Sequence, residues 1–411
     1  MLFSLRNFLQ SLRGPRRNIP VPPGAPERVV LIRSDRFGDH MIFGGFLEML
    51  REAWPRARFT LVLPQERAQL YEECPLVDEL IFFNTKEVDG SKPARARLYD
   101  RIRSARPDYL INSQCMPCET AERIIRYCPA RVRLGVTGWG PNVDAKRRLR
   151  YDRYYTHLVD LGEIRPWRSE KLLYRDLLTL LGIPYRNFLP QIWTSVDDIS
   201  FADQVYDESG FVPGQTLVYF CGSSHKLRTY PPLQQLMTRL LHEGPWTVLA
   251  VGGKDEFAYG EPPEKSLRPR WRNLCGLSTI RQSAELMRRC RLVLGVESGL
   301  AQAAAAVNAP HVILQSGTYF GRFLPMSPRT SVAIQPLECY FCTERCRYDE
   351  AYCLSRIPAE VFYRAVSDAL AGPHPKSRIY LAANPGPVGD ATPVSFRPEW
   401  IDPDLAEVIH V

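Results

Sequence analysis

Three loops and one cysteine cluster in the 411-residue chain carry side chains that can do chemistry. In RSDRFGDHMIFG (33–44), Gly38 permits close backbone approach and Asp39 begins a helix. A carboxylate there caps the helix, or acts as a general base that takes a proton from a bound hydroxyl. CGSSHKLRTYPP (221–232) sets Ser223, Ser224, Lys226 and Arg228 just ahead of another helix. Hydroxyls, two cations and a helix start suit a phosphate or diphosphate, and a solvated loop with scattered charge fits the same residues. In GVESGLAQAAAA (295–306), Ser298 and Gly299 would present backbone N–H groups at a helix start, and Glu297 could bind sugar hydroxyls. The alanine run also packs closely on a sheet, which accounts for its composition without a ligand. Cys339, Cys342, Cys346 and Cys353 fall within CYFCTERCRYDEAYC. Four thiols opening with C-x2-C fit a tetrahedral structural zinc or iron site; disulfides or free thiols stapling a loop are the competing readings.

These loops interrupt an alternation of short apolar runs and longer amphipathic stretches. RVVLIR (28–33), FTLVLP (59–64), ELIFFN (79–84), YLINS (109–113) and RVRLGV (131–136) read as buried strands, and HMIFGGFLEMLREAWP (40–55) as a helix. Apolar strands separated by helices predict a parallel sheet covered on both faces. Residues 137–170 break the rhythm and are dense in arginine and aromatics; SEKLLYRDLLTLLG (169–182) then reads as a helix, followed by a linker. A second alternation begins at TLVYFCG (216–222). It continues through strands WTVLAVGG (246–253), RLVLGVE (291–297) and HVILQSG (311–317) to a closing helix at 358–372. The expected fold class is therefore α/β, with two Rossmann-like parallel-sheet domains at 28–190 and 191–372. Ligands gather at the carboxyl ends of such strands, so the loops would line a cleft between the domains. Residues 1–27 read as a basic amphipathic segment and a Pro-rich spacer, and 373–411, with seven prolines, as a surface tail.

Hydrophobic residues at 45% and charged residues at 24% exclude wholesale disorder. No run of about 18 apolar residues offers a conventional membrane span. MLFSLRNFLQSLRGPRRN has too short an apolar core for a secretory signal, so the expected location is the cytoplasm. Leu2, Leu5, Phe8, Leu9 and Leu12 share one helical face beside several arginines. Such a face suits peripheral contact with an anionic membrane surface, or docking on the protein itself. A formal charge of +8 suits anionic partners in general, and no nucleic-acid partner is expected. The 295–306 loop lacks GxGxxG, which argues against a dinucleotide-dependent oxidoreductase.

Together the loops resemble glycosyltransferase family 9, the heptosyltransferases that use ADP-heptose to build the lipopolysaccharide inner core. The likeness is carried by RVVLIRSDRFGDHMIFGGFLEMLREAWPRARFTLVLP, by PLVDELIFFN, and by NLCGLSTIRQSAELMRRCRLVLGVESGLAQAAAAVNAPHVILQSGT, in order and spacing within 28–372. The resemblance implies GT-B architecture, with the acceptor bound mainly by the first domain and the nucleotide sugar by the second. It implies inverting transfer that needs no catalytic metal or other cofactor. Asp39 falls on the family's catalytic carboxylate. Ser223, Ser224, Lys226, Arg228, Glu297, Ser298, Gly299 and Gln302 fall on the implied donor site, with Arg228 where many members carry a diphosphate-binding lysine. Arg33, Arg36, Lys146, Arg147, Arg148 and Arg150 would hold an anionic glycolipid acceptor; the insert with Lys146, Arg147, Arg148, Arg150 and Arg153 reads equally as a solvated basic loop. Glu297 stands where the family usually has Asp and Gln302 where it usually has His, which changes reach and charge. These departures keep open another nucleotide sugar, a protein or polysaccharide acceptor, or a non-catalytic sugar-nucleotide-binding relative.

Overall fold

Runs of valine, leucine and isoleucine buried on both faces form two all-parallel sheets, each covered by helices. In this computed structural model the described residues are 14–114, 116, 118–139, 145–163, 167–220, 222, 230, 233–324, 326–383 and 388–411; the side chains at 139, 145–147 and 149 are not among them. The chain divides into two units, Met1–Arg165 with Glu170–Phe188 and Pro166–Ser169 with Leu189–Val411.

Unit 1 contains β1 (Arg16–Arg17), β2 (Arg28–Ile32), β3 (Arg58–Pro64), β4 (Glu79–Phe83), β5 (Tyr109–Asn112), β6 (Val132–Trp139) and β7 (His157–Glu163). Their order is β1-β7-β6-β5-β2-β3-β4, and the pairings are parallel. Winding reverses at β2, which has β3 on one side and β5 on the other. Ligands of open α/β sheets bind outside the carboxyl ends of the strands at such a reversal, so the loops after β2 and β5 matter most. Helix Phe37–Ala53 follows β2 and buries Met41, Ile42, Phe43, Phe46, Leu47 and Leu50. Gly45 lets this helix approach Phe188, since a Cβ there would lie 2.0 Å from the ring.

Two parts of this unit depart from expectation. The stretch after 137 is ordered as the end of β6, helix Ala145–Asp152 and β7. His157, Asp160 and Glu163 disguise β7 in sequence, yet Leu158 and Val159 are buried and β6 and β1 flank it. Arg16–Arg17, read as part of a basic helix, instead form β1. Gly14, at φ +68°, and Pro15 interrupt the helical pattern just before it, and Arg17 bonds Asp152 at 2.9 Å and Asp160 at 2.7 Å. The amphipathic residues 2–12 lie outside the described residues.

Unit 2 contains β8 (Thr216–Phe220), β9 (Thr247–Ala250), β10 (Trp271–Asn273), β11 (Leu292–Val296), β12 (His311–Leu314), β13 (Thr330–Ala333), β14 (Ser377–Leu381) and β15 (Ala406–His410). The order is β10-β9-β8-β11-β12-β13-β14-β15, again parallel. Winding reverses between β8 and β11, so the loops after those two strands occupy the ligand-binding position of this sheet. The segment 373–411 is not a surface tail, because β14 and β15 complete the sheet from within it. Its seven prolines all fall outside the two strands, where they cost no ladder hydrogen bond.

Candidate functional site

At the reversal in unit 1, β2 leads into Arg33 and the loop that reaches Asp39. Arg33 is 0% exposed. Its guanidinium meets the Asp35 carboxylate at 2.8 Å, Ser113 O and Oγ at 3.2 Å each, and the backbone carbonyl of Asp39 at 3.3 Å. Burial alone would favour the neutral form, but Asp35, Tyr174, Glu170 and Asp39 outweigh it and hold Arg33 charged. Asp39 is 5% exposed, and its carboxylate accepts the Arg36 N–H at 3.3 Å. That bond fulfils the capping role, and a carboxylate with about four lone-pair sites can cap and still act as a base. His40 bonds the Tyr71 hydroxyl through Nδ1 at 3.0 Å. Burial, helped by Arg33 and Arg67, pushes His40 well below the usual imidazole range, so it is neutral. Ser34 Oγ donates to Gln114 Oε1 at 3.0 Å and ties the loops after β2 and β5 together.

The expected acceptor-contacting arginines divide into two groups. Arg33 and Arg148 are interior, and for Arg148 this corrects the reading of a solvated loop. Arg148 pairs with Glu122 at 3.1 Å, and Glu122 also accepts the Tyr155 hydroxyl at 2.9 Å. A buried guanidinium needs such a carboxylate. Arg36 and Arg150 are exposed, whereas the side chains of Lys146 and Arg147 lie outside the described residues.

In unit 2, Glu297 directly follows β11 and donates its N–H to Leu314 O at 3.0 Å. Val296 pairs with Leu314 in register, so Glu297 and Gln315 leave the sheet as neighbours. Ser298, extended at φ −161°, is the N-cap of helix Gly299–Ala306, and its side chain makes no cap bond. The backbone N–H groups of that turn have no intrahelical acceptor. Ser298 Oγ, Gln302 Oε1, both amide atoms of Gln315 and Tyr340 OH are buried with no hydrogen-bond partner among the described residues. Gln302 Nε2 reaches Phe323 O at 3.5 Å. Native interiors leave few polar atoms unmatched, so their concentration at one sheet edge suits a ligand rich in hydroxyls or phosphate oxygens. Sequence reasoning passes over Gln315 and Tyr340; an amide closing the apolar run HVIL was the available signal. Ser223, Ser224, Lys226 and Arg228, expected at the end of β8, lie outside the described residues.

Cys339, Cys342, Cys346 and Cys353 are free thiols that line one cavity of about 10 Å³, so the disulfide reading is not realised. The backbone turns sharply around them, with Phe341, Thr343 and Glu344 at φ +66°, +56° and +65°. Burial pushes Cys353 up to about 12, against the Gly317 N–H and together with the other three sulfurs. Burial also raises Cys342, while the Glu344 and Arg345 N–H groups act the other way. Among the described residues no group of three or more His, Cys, Asp or Glu side chains is placed to hold a metal ion as it stands. No helix among them is long and apolar enough to cross a membrane.

Two Rossmann-like parallel sheets, each with polar loops at its winding reversal, define the GT-B class of glycosyltransferase folds. The sequence profile of glycosyltransferase family 9 (heptosyltransferase) matches residues 146–352, half of the chain, and the chain belongs to that family. It is similar to a family 9 glycosyl transferase from Veillonella parvula DSM 2008, with TM-score 0.69 and 20% identity over 84% of this chain and 97% of that one. Escherichia coli ADP-heptose lps heptosyltransferase II gives TM-score 0.63 and 17% identity over 84% and 98% of the two chains. The iron-containing dodecameric glycosyltransferase TibC of enterotoxigenic E. coli H10407 gives TM-score 0.52 and 12% identity over 86% and 80%. At these identities the likeness concerns the fold. A curated relative from Haemophilus influenzae, named for glycosyltransferase activity, is 30% identical over 86 residues, which is 21% of this chain and 24% of the relative. That match spans about a quarter of the relative's length.

Proposed function

We propose that the chain is an inverting, metal-independent glycosyltransferase that moves a heptose-type sugar from a nucleotide diphosphate, ADP-heptose first, to a lipopolysaccharide-core or related glycolipid. The observation that carries this reading is the edge formed by β11 and β12, where a helix start with no cap bond from Ser298 adjoins buried polar atoms without partners among the described residues. The helix start suits a donor diphosphate, and Glu297 and Gln302 suit sugar hydroxyls. A fold neighbour named for ADP-heptose supports that choice of donor. Asp39 would take the acceptor hydroxyl's proton as its oxygen attacks the anomeric carbon. Arg33 would act as a positioning residue that holds the Asp39 loop. Charge on the departing diphosphate would be met by the N–H groups at Ser298 and Gly299 and, on sequence grounds, by Lys226 and Arg228. An acceptor of this kind is borne by a membrane, which fits the basic, amphipathic start of the chain as a peripheral contact on the inner face.

Asp39→Asn separates the two roles of that carboxylate, because its amide oxygen still accepts the Arg36 N–H but cannot hold a proton. Transfer from ADP-heptose should fall by about 10²–10⁴, while ADP affinity measured by calorimetry stays within about twofold. Undiminished transfer by Asp39→Asn removes the base assignment. Wild-type protein that binds none of ADP, UDP and GDP removes the donor reading.

A structural ion is the second proposal. Four free cysteines around one cavity are a donor set of the kind that zinc or iron takes. A fold neighbour described as iron-containing adds support for iron. Cys339, Cys342, Cys346 and Cys353 would hold the ion as a cross-link of their own segment, with no part in sugar transfer.

A further inference from the structure

We propose that unit 1 carries a docking surface for an anionic membrane at the amino ends of its strands, built from Arg16, Arg126, Arg131 and Arg153 with Tyr127 and Tyr154. These residues share one edge because the strands are parallel. Arg16 opens β1, Arg131 stands just before β6, and Arg153 and Tyr154 stand shortly before β7. Helix Glu119–Tyr127 runs back from β5 to the same edge and ends on Arg126 and Tyr127. Tyr154 joins the two segments. The guanidinium carbons of Arg126 and Arg153 each lie 5.1 Å from its ring centre, and that of Arg126 lies 4.9 Å from the Tyr127 ring. Two like charges at one ring repel each other, and an anion placed against them removes that cost.

The same edge is arranged differently over β2, β3 and β5. There Arg28 meets Asp108 at 3.8 Å, Arg58 meets Glu79 at 3.2 Å and Arg103 meets Asp100 at 2.8 Å, so charge is answered within the protein. Over β6, β7 and β1 the carboxylates of the two flanking helices are engaged elsewhere, Glu119 by Arg123, Glu122 by Arg148 and Asp152 by Arg17. Arg16, Arg126, Arg131 and Arg153 are left with no carboxylate partner among the described residues. Anionic lipid attracts such a surface by about fivefold in affinity per arginine in contact. Tyr127, 42% exposed and stacked on Tyr99 at 5.3 Å, offers an amphipathic ring of the kind that collects at the bilayer interface. The chain that enters here selects a membrane over another polyanion. Thirteen residues precede the described part and reach the sheet at this edge, where the Arg16 N–H donates to Thr156 O at 2.9 Å. They bear Leu2, Leu5, Phe8, Leu9 and Leu12, an apolar set that a bilayer can bury and a nucleic acid cannot. The surface adds a folded part to that N-terminal contact, and it rests on neither the donor nor the acceptor reading.

The full chain would be titrated with vesicles of phosphatidylcholine alone and of phosphatidylcholine with about 30% phosphatidylglycerol. Wild type should bind the anionic vesicles, bind the neutral ones about tenfold more weakly or less, and be released as salt screens the charges. Arg126→Gln with Arg153→Gln should weaken binding to anionic vesicles about twentyfold. Lys265→Gln with Arg268→Gln, an equal loss of exposed charge from unit 2, should change it by less than about twofold. Amide exchange of wild type on the vesicles makes the comparison without a substitution: protection should fall on 126–131 and 153–154 and spare unit 2. In a Leu5→Glu, Leu9→Glu background the residual binding should still fall when Arg126 and Arg153 are replaced. Binding that survives the loss of both arginines places docking in the N-terminal residues alone and overturns the surface. Absence of binding to anionic vesicles, or an equal loss in the two double variants, overturns it too. Duplex DNA bound as tightly as vesicles through the same arginines would make the edge a nucleic-acid surface. A chain that docks as described but transfers no sugar overturns the proposed function and leaves the surface standing.

Discussion

At the winding reversal of unit 1 buried charges answer one another, with Arg33 Nε and His40 Nε2 left unbonded among the described residues, whereas at that of unit 2 a larger set of buried polar atoms has no partner there. Arg33 is fixed by Asp35, Ser113 and the Asp39 carbonyl, and Asp39 by the Arg36 N–H. Ser298 Oγ, Gln302 Oε1, the Gln315 amide and Tyr340 OH have no such partner. The contrast matches two kinds of work. A base acts best when its surroundings are arranged before the substrate arrives, since reorganisation during reaction is then avoided. A site for a large polar ligand gains when its own groups stay unbonded until the ligand supplies their partners, at a standing cost to the free protein.

The comparison breaks most visibly at Arg33. Arg33→Met leaves the carboxylate of Asp35 without its buried cation and should lower stability by about 3–5 kcal/mol in urea unfolding. A loss below about 1 kcal/mol would show that the unit 1 edge is not held by charge. Gln315→Leu should act with the opposite sign, because it removes an amide whose hydrogen bonds are unmade. The ligand-free chain should be as stable or gain about 1–3 kcal/mol, while ADP-heptose affinity falls. A marked loss of stability would mean that Gln315 has its partner within the protein.

Lys171 tests the unit 1 interior through pH. Its amine bonds Asn187 and the Phe188 carbonyl, and burial pulls it from 10.5 down to about 7. Between those two values the unfolded chain binds more protons than the folded chain, so stability rises with pH there; below about 7 both forms are protonated and the burial penalty is complete. Unfolding of wild type against Lys171→Met should therefore shift in favour of wild type by about 1–2.5 kcal/mol from pH 7 to pH 9. A difference that does not move with pH would mean that the amine is protonated throughout.

Much of this organisation is legible in the sequence where a strand is buried on both faces. β2, β8, β11 and β12 read as unbroken apolar runs, and Asp39 and Ser298 follow such runs beside glycine. β7 and β15 escape notice because Asp, Glu and His interrupt their apolar residues, as sheet edges and half-exposed strands permit. The roles of Arg33 and Arg148 are hidden for a different reason. An arginine reads as a surface cation until a partner is placed, and Glu122 meets Arg148 only through the fold. The open amide of Gln315 is likewise a property of its neighbours in space.

The smallest effect sharpens the comparison furthest, because two serines in unit 2 begin helices in different ways. Ser195 caps helix Val196–Ser209, its hydroxyl accepting the Asp198 N–H at 3.2 Å. Ser298 stands at the same position of helix Gly299–Ala306 and makes no cap bond. Ser195→Ala should therefore cost about 1 kcal/mol, as loss of an N-cap does, while Ser298→Ala should change ligand-free stability by less than about 0.3 kcal/mol. ADP affinity should show the reverse order, unchanged in Ser195→Ala and weakened in Ser298→Ala. If both serines cost the same stability and neither affects ADP, the start of Gly299–Ala306 is an ordinary helix terminus and is not reserved for the donor.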